Sequence, residues 1–362
     1  MILNIIIFIF VLGVLVFIHE FGHFIAAKKA GMLVDEFGIG YPPKVFSKKY
    51  KETTYSVNLL PLGGFVKIKG EQYDEEADDK KDKRLFYNRP LSARLVVVIA
   101  GVIMNFLFGI VVLWIGFCFG FPSLTRDMSK VKGAQVLKQD VIIADVYKDS
   151  PAAKSKIKPG TTLVSSGDFQ FKTVLDVQQF TKKHLGQKVD LTLRDSKNNE
   201  NQVALTLSSD PKMPLGVSII SDNIVKFSPL QAGWESLKES FYISKMTGQA
   251  IIDLLKDLFT HGKISENISG PVGIYQATAQ AADVGFSAVL LIAIILSINL
   301  ALINLVPFPA LDGGKLIFLV IEAIFRKRVI AVHIEQAIET VGFFLLILFI
   351  LAVTYKDIIR IG

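Results

Sequence analysis

Four long stretches of the chain carry no charged residue: Ile2–Ile18, Leu95–Phe121, Phe286–Val306 and Val341–Val353. A helix needs about 20 apolar residues to cross a bilayer, and tilt or flanking residues extend the shorter runs. The pattern therefore predicts four membrane-spanning helices. The first has neither the basic start nor the small-residue cleavage site of a signal peptide, and it runs on through His19 and Glu20 to Lys28–Lys29. It is expected to remain as a permanent helix.

Between the first two spans, Thr54–Lys69 alternates as two short strands around Pro61, Gly63 and Gly64, a hairpin-like pattern. Glu71–Arg84 is a mixed run of charges, expected to be a solvated, mobile loop. After the second span, Val141–Val146 and Val189–Arg194 alternate as strands. Ser150-Pro151-Ala152-Ala153 can start a short helix, Lys158-Pro159-Gly160 is a turn, and Asp176–Leu185 can form a second helix. Together they predict a small soluble α+β domain. In Ser228–Thr260, Trp234, Leu237, Phe241, Ile252, Leu255 and Phe259 recur near helical spacing, but charges such as Glu235, Lys238, Asp253 and Lys256 interrupt them. That is an amphipathic helix, or helix pair, lying on a surface rather than a fifth span. The expected divisions are residues 1–121 (membrane core with a hairpin about 54–69), 122–215 (soluble domain), 216–285 (interfacial segment) and 286–362 (membrane core).

Composition agrees: 51% of residues are apolar and mean hydropathy is +0.44, high for a soluble chain of 362 residues. The net charge of +7 comes from basic residues beside the apolar stretches and through the middle of the chain, without the aromatic interleaving that would suggest nucleic acid. Cys118 is the only cysteine, so no internal disulfide can form.

The chemistry is concentrated at His19-Glu20-Phe21-Gly22-His23, an H-E-x-x-H pattern. On a helix, positions i and i+4 share a face, so two imidazoles can grip one metal ion while the glutamate takes a proton from water. Ionisable groups within a span cost roughly 2.5–3.5 kcal/mol each on insertion scales, so three within five residues mark function. A catalytic zinc usually takes three protein ligands and keeps one position open. His184, His261 and His333 lie away from the spans' ends in a way the motif does not. Asp312 follows the third span within Asn304-Leu305-Val306-Pro307-Phe308-Pro309-Ala310-Leu311-Asp312-Gly313-Gly314. Two prolines stop the helix, and two glycines are expected to let the backbone turn after the carboxylate. By itself Asp312 could be an interfacial turn residue. With four spans, however, the first and third cross in the same direction, so His19–His23 and Asp312 reach the same leaflet. Lys28, Lys29, Lys44, Lys48, Lys49 and Lys51 follow the first span, and Arg326, Lys327 and Arg328 follow the third. The positive-inside rule puts that leaflet on the cytoplasmic side and the soluble domain outside.

These residues closely resemble the site-2 protease family of intramembrane zinc metalloproteases, nearest to the bacterial regulator of sigma-E protease group. The match is His19-Glu20-x-x-His23 with Asn304-x-x-Pro307-x-x-x-x-Asp312-Gly313. It is supported by Pro61-Leu62-Gly63-Gly64-Phe65-Val66-Lys67, Gly101-x-x-x-Asn105 and Gly270-Pro271-Val272-Gly273-Ile274. The resemblance implies an α-helical polytopic membrane protein with four transmembrane helices, a membrane re-entrant β-hairpin and an inserted PDZ-like α+β domain. It implies Zn2+ on His19, His23 and Asp312, Glu20 as catalytic base, and substrate held by Asn304 and by Gly63, Gly64, Phe65, Val66 and Lys67. It implies an enzyme of the bacterial inner membrane that cuts membrane-protein substrates, such as single-span anti-sigma factors or remnant signal peptides. Two departures stand out: one PDZ-like domain where some relatives carry two, and Thr161 where an acidic residue is usual after Pro-Gly. Two other classes, a divalent-metal transporter and a non-catalytic membrane PDZ-type binding protein, are the alternatives; neither requires an intact H-E-x-x-H.

Overall fold

A computed structural model describes residues 2–71, 82–195, 198–261 and 269–361. Most of the Glu71–Arg84 charge run lies outside them. In chain order the elements are α1 (Ile2–Lys29), β1 (Val34–Tyr50), β2 (Thr53–Ile68), α2 (Leu91–Phe119), β3 (Phe121–Pro122), β4 (Gln135–Val146), α3 (Pro151–Lys154), β5 (Thr162–Ser166), β6 (Phe169–Gln170), α4 (Val174–Lys183), β7 (Lys188–Arg194), β8 (Glu200–Thr206), β9 (Val217–Lys226), α5 (Pro229–His261), α6 (Pro271–Val284), α7 (Phe286–Asn304), α8 (Asp312–Phe325) and α9 (Val332–Ile361). The chain forms two compact units, Met1–Val112 with Leu237–Gly362, and Leu113–Ser236.

In the first unit, α1, α2, α7 and the His333–Arg360 part of α9 are the described helices long and apolar enough to cross a membrane. At most 33% of any of their apolar windows is buried within the protein. Most of that apolar surface therefore faces outward, as lipid-facing helices require. α1 ends in a Schellman motif: Gly31 takes a φ of +69°, Met32 N–H donates to Ala27 O at 2.9 Å and Gly31 N–H to Lys28 O at 3.0 Å. Met32, Ala27, Val34, Ile68, Phe86, Val97, Val98 and Leu319 then form a buried cluster beneath the end of α1. α5 is a single helix and is not among the candidate spans. α6 packs against α1, α7 and α9. Its Gly270-Pro271 start is capped from α9, where the buried Asp357 carboxylate accepts from Gly270 N–H and Gly273 N–H at 2.8 Å each.

In the first unit, three features differ from the sequence expectations. β1 is a strand in the structure, although its Pro42-Pro43 and scattered lysines break the alternation that marks strands in the sequence. The hairpin's second arm is therefore β1. The two halves of β2 do not pair with each other: Glu36–Ile39 faces both Thr54–Val57 and Gly64–Lys67, and Lys44–Tyr50 faces Thr53–Asn58. Gly63, with a φ of +98°, lies where β2 changes partner. Finally, Gly313 and Gly314 lie inside the first turn of α8 rather than making a turn. A Cβ on Gly313 would sit 2.6 Å from Leu305 O, and one on Gly314 would sit 2.7 Å from Pro309 Cα. Their function is close approach of α8 to the preceding loop.

The second unit carries a seven-stranded sheet in the order β3-β9-β4-β5-β7-β8, with β6 beside β5. Its core includes Val141, Ile143, Leu163, Phe171, Val177, Leu191 and Leu205. The expected α3 and α4 are present, capped by Ser150 and by a Thr173–Asp176 capping box. β9 pairs with β4 from Val217 to Lys226, beyond the expected domain end at 215. Ser221-Asp222-Asn223 interrupts its apolar alternation, which hides the strand in the sequence.

Arg94, near the start of α2, is buried and paired with Glu322 of α8, with one bond at 2.9 Å. The Arg94 hydrogen bonds hold the Glu322 carboxyl below the usual glutamate range. That stabilisation is complete above the unfolded glutamate pKa of about 4.3 and is lost as pH falls through the lower folded value. Glu322→Ala leaves a buried guanidinium unpaired and should cost about 3 kcal/mol. Thermal unfolding of detergent-purified protein at neutral pH should show the lower midpoint, and the difference from wild type should shrink in acid.

Candidate metal centre

α1 carries His19 and His23 one turn apart on its buried face, with Leu15 and Val11 continuing that face toward the N-terminus. α2 backs them with residues at the same spacing. His23 Nδ1 lies 2.8 Å from Val97 O. Asn105 Nδ2 lies 3.4 Å from His19 Nδ1. Between them is Gly101, whose Cβ would lie 2.8 Å from His19 Cε1 and collide with His23 Nε2. Gly22 does the same for the backbones: a Cβ there would sit 2.5 Å from Ala100 O. Two glycines thus let α1 and α2 approach until the imidazoles fill the space between them.

α8 delivers the third group. Asp312 is its first residue, where a carboxylate also complements the helix dipole. Asp312 Oδ2 lies 3.0 Å from His19 Nε2 and 3.3 Å from His23 Nε2, and the two Nε2 atoms are 3.2 Å apart. Tetrahedral ligands about 2.0–2.1 Å from a zinc ion are separated by about 3.3 Å, so this triangle has the size a zinc ion needs. Asp312 Oδ2 is buried without a hydrogen-bond partner, as an atom reserved for a metal would be. Among the described residues, His19, His23 and Asp312 are the group of histidines, cysteines and carboxylates that could hold a metal ion. His184 instead stacks on Phe180, and His333 lies in α9.

A cavity of about 190 Å³ adjoins the triangle, lined by Glu20, Val66, Ile68, Glu71 and Lys315 together with His23 and Asp312. Of the hairpin residues expected at the site, Gly64 and Val66 are there: a Cβ on Gly64 would lie 3.8 Å from Glu20 Cγ. Phe65 points to the other face, against Tyr41, and Lys67 is exposed, as strand alternation dictates. Gly63 lies against Val16 of α1. Asn304 Nδ2 is 3.5 Å from His19 Nε2. Lys315, whose Nζ lies 2.5 Å from Glu71 Oε1, is a cavity residue that the sequence expectations lack. Its spacing of three from Asp312 was the available signal, since a helix places i and i+3 on one face.

The model of Peptidase family M50 matches residues 7–349. The chain belongs to this peptidase family. It is similar to the zinc metalloprotease RasP of Shouchella clausii and to that of Oceanobacillus iheyensis, each 30% identical over 98% of both chains. Membership, the four apolar helices and the donor triangle make the protein an intramembrane zinc metalloprotease.

Gly101→Ala tests the packing of the site. The substitution favours the helix by about 1 kcal/mol, yet the added methyl has no room beside the imidazoles. Purified Gly101→Ala protein should fold and lose most of its zinc, measured by atomic emission per mole of protein.

Proposed function

We propose that His19, His23 and Asp312 bind the zinc ion and that Glu20 is the catalytic base for peptide hydrolysis. The 3.0–3.3 Å donor triangle with Glu20 in the adjoining cavity carries this reading. Bound zinc supplies Lewis-acid polarisation of the scissile carbonyl and lowers the pKa of water toward ~7. Glu20 takes the proton of the attacking water and hands it to the leaving amine. Asn304, beside His19, holds the substrate next to the reacting bond.

A helical substrate must unwind before its peptide bonds can be cut. The Gly64–Ile68 half of β2 is suited to hold it, because β1 occupies only one of its edges and no other described strand takes the second. Val66 and Ile68 line the Glu20 cavity, so a strand added along that edge runs beside the metal site. The β1–β2 hairpin is the membrane re-entrant element of this proposal. Its exposed Val45, Phe46, Tyr50, Leu59 and Leu60 favour contact with lipid.

The orientation of this proposal has the metal site near the cytoplasmic side of a bacterial inner membrane and the inserted unit outside; the basic segments after α1 and α8 support it. We read that unit as a PDZ-like domain that controls access rather than chemistry. The Ser150-capped α3, the Lys158-Pro159-Gly160 turn and α4 support the reading. The substrates of this proposal are single-span membrane proteins already trimmed outside, such as anti-sigma factors, and remnant signal peptides.

Glu20→Gln should retain zinc and abolish turnover, since an amide cannot accept the proton. Cleavage near the wild-type rate by zinc-loaded Glu20→Gln protein would refute the mechanism. In a Cys118→Ser background, an impermeant thiol reagent added to intact cells should label a cysteine placed at Lys182 and not one at Lys48. The reverse pattern inverts the orientation.

A further inference from the structure

We propose that Asn105 is a positioning residue that fixes the metal-binding tautomer and ring orientation of His19. The inference rests on the reading of His19, His23 and Asp312 as the zinc ligands.

Both histidines turn Nε2 toward Asp312. A neutral imidazole that gives the Nε2 lone pair to a metal carries its proton on Nδ1. Each Nδ1–H is then a donor in a buried, water-poor place and needs an acceptor. His23 has one: its Nδ1 lies 2.8 Å from Val97 O. For His19 the neighbour at Nδ1 is the Asn105 side chain, with Nδ2 at 3.4 Å. Asn105 is fully buried, and its Oδ1 has no hydrogen-bond partner. Two unmet requirements therefore meet at one point: a donor that must appear when metal binds, and an orphaned acceptor one half-turn of the amide away. Rotating the carboxamide brings Oδ1 onto His19 Nδ1–H and satisfies both.

The backbone at this position is held so that the side chain can serve. Ser297 Oγ of α7 donates to Asn105 O at 2.8 Å. Gly101, one turn earlier on α2, leaves the rings their space, and Val97, two turns earlier, serves His23. The spacing of four between His19 and His23 is matched by the spacing of four from Val97 through Gly101 to Asn105. Acceptors behind metal-bound imidazoles fix the tautomer and raise ligand basicity, and their loss typically costs 10–100-fold in metal affinity or activity.

The test is zinc affinity of the full-length, detergent-purified protein by competition with a chelator of known affinity, together with the visible d–d spectrum of the cobalt(II)-substituted protein. Asn105→Leu keeps nearly the same volume without an acceptor and should weaken zinc binding by about 10-fold or more and shift the cobalt bands. Asn105→Asp supplies an acceptor and should bind zinc at wild-type affinity or tighter. A purely packing role would give the opposite order, because leucine fills the space and a buried carboxylate does not suit it. Wild-type affinity and an unaltered cobalt spectrum in Asn105→Leu, with zinc lost in His19→Ala, would overturn the role of Asn105 alone. So would weaker binding in Asn105→Asp than in Asn105→Leu. Retention of zinc by His19→Ala would overturn the ligand reading and the role of Asn105 with it.

Discussion

The structure of the first unit depends on holding two imidazoles and a carboxylate within 3.0–3.3 Å of one another among apolar helices. Three such groups in a low-dielectric surrounding are costly unless they share a cation. The chain meets that constraint with backbone proximity. Gly22 and Gly101 draw α1 and α2 together, and Gly313 and Gly314 seat α8 on the Leu305–Pro309 loop so that Asp312 reaches the histidines. Arg94–Glu322 ties α2 to α8, and Lys315–Glu71 ties α8 to the end of β2. α8, which carries Asp312, is thus tied by ion pairs to both α2 and the end of the hairpin.

The four spans were legible because charge-free runs of that length have few other uses, and the structure has a helix over each of them, with α1 running on to Lys29, α9 reaching from Val332 to Ile361 and α7 ending at Asn304. His19, Glu20 and His23 were legible because helical spacing alone brings them together. Asp312 required a topological argument, since nothing local distinguishes it from an interfacial turn residue. What escaped notice was set by tertiary contact. Gly313 and Gly314 look like turn residues in the sequence and act through close packing in the fold. β1 and β9 carry polar interruptions that conceal their alternation. Lys315 and the side chain of Asn105 gain meaning only once α8 and α2 are placed against α1.

The β1–β2 hairpin shows how a short segment can serve two surfaces. Strand alternation sends Gly64, Val66 and Ile68 toward α1 and the cavity, and sends Phe65 and Lys67 away. Glycine at position 64 brings the strand backbone close to Glu20, where a larger residue would meet Gly38 O at 2.9 Å. Under the proposed mechanism, a backbone held that near Glu20 is positioned to align an extended peptide.

The most direct measurement of the central claim is zinc K-edge X-ray absorption on the purified protein. Three ligands from His19, His23 and Asp312 predict one zinc per chain, with two imidazole shells at about 2.0–2.1 Å, oxygen donors at about 2.0–2.2 Å and no sulfur scatterer. Loss of one imidazole shell in His23→Ala and of an oxygen donor in Asp312→Ala would complete the assignment. A zinc shell with three or more imidazoles, or one unchanged by Asp312→Ala, would contradict it.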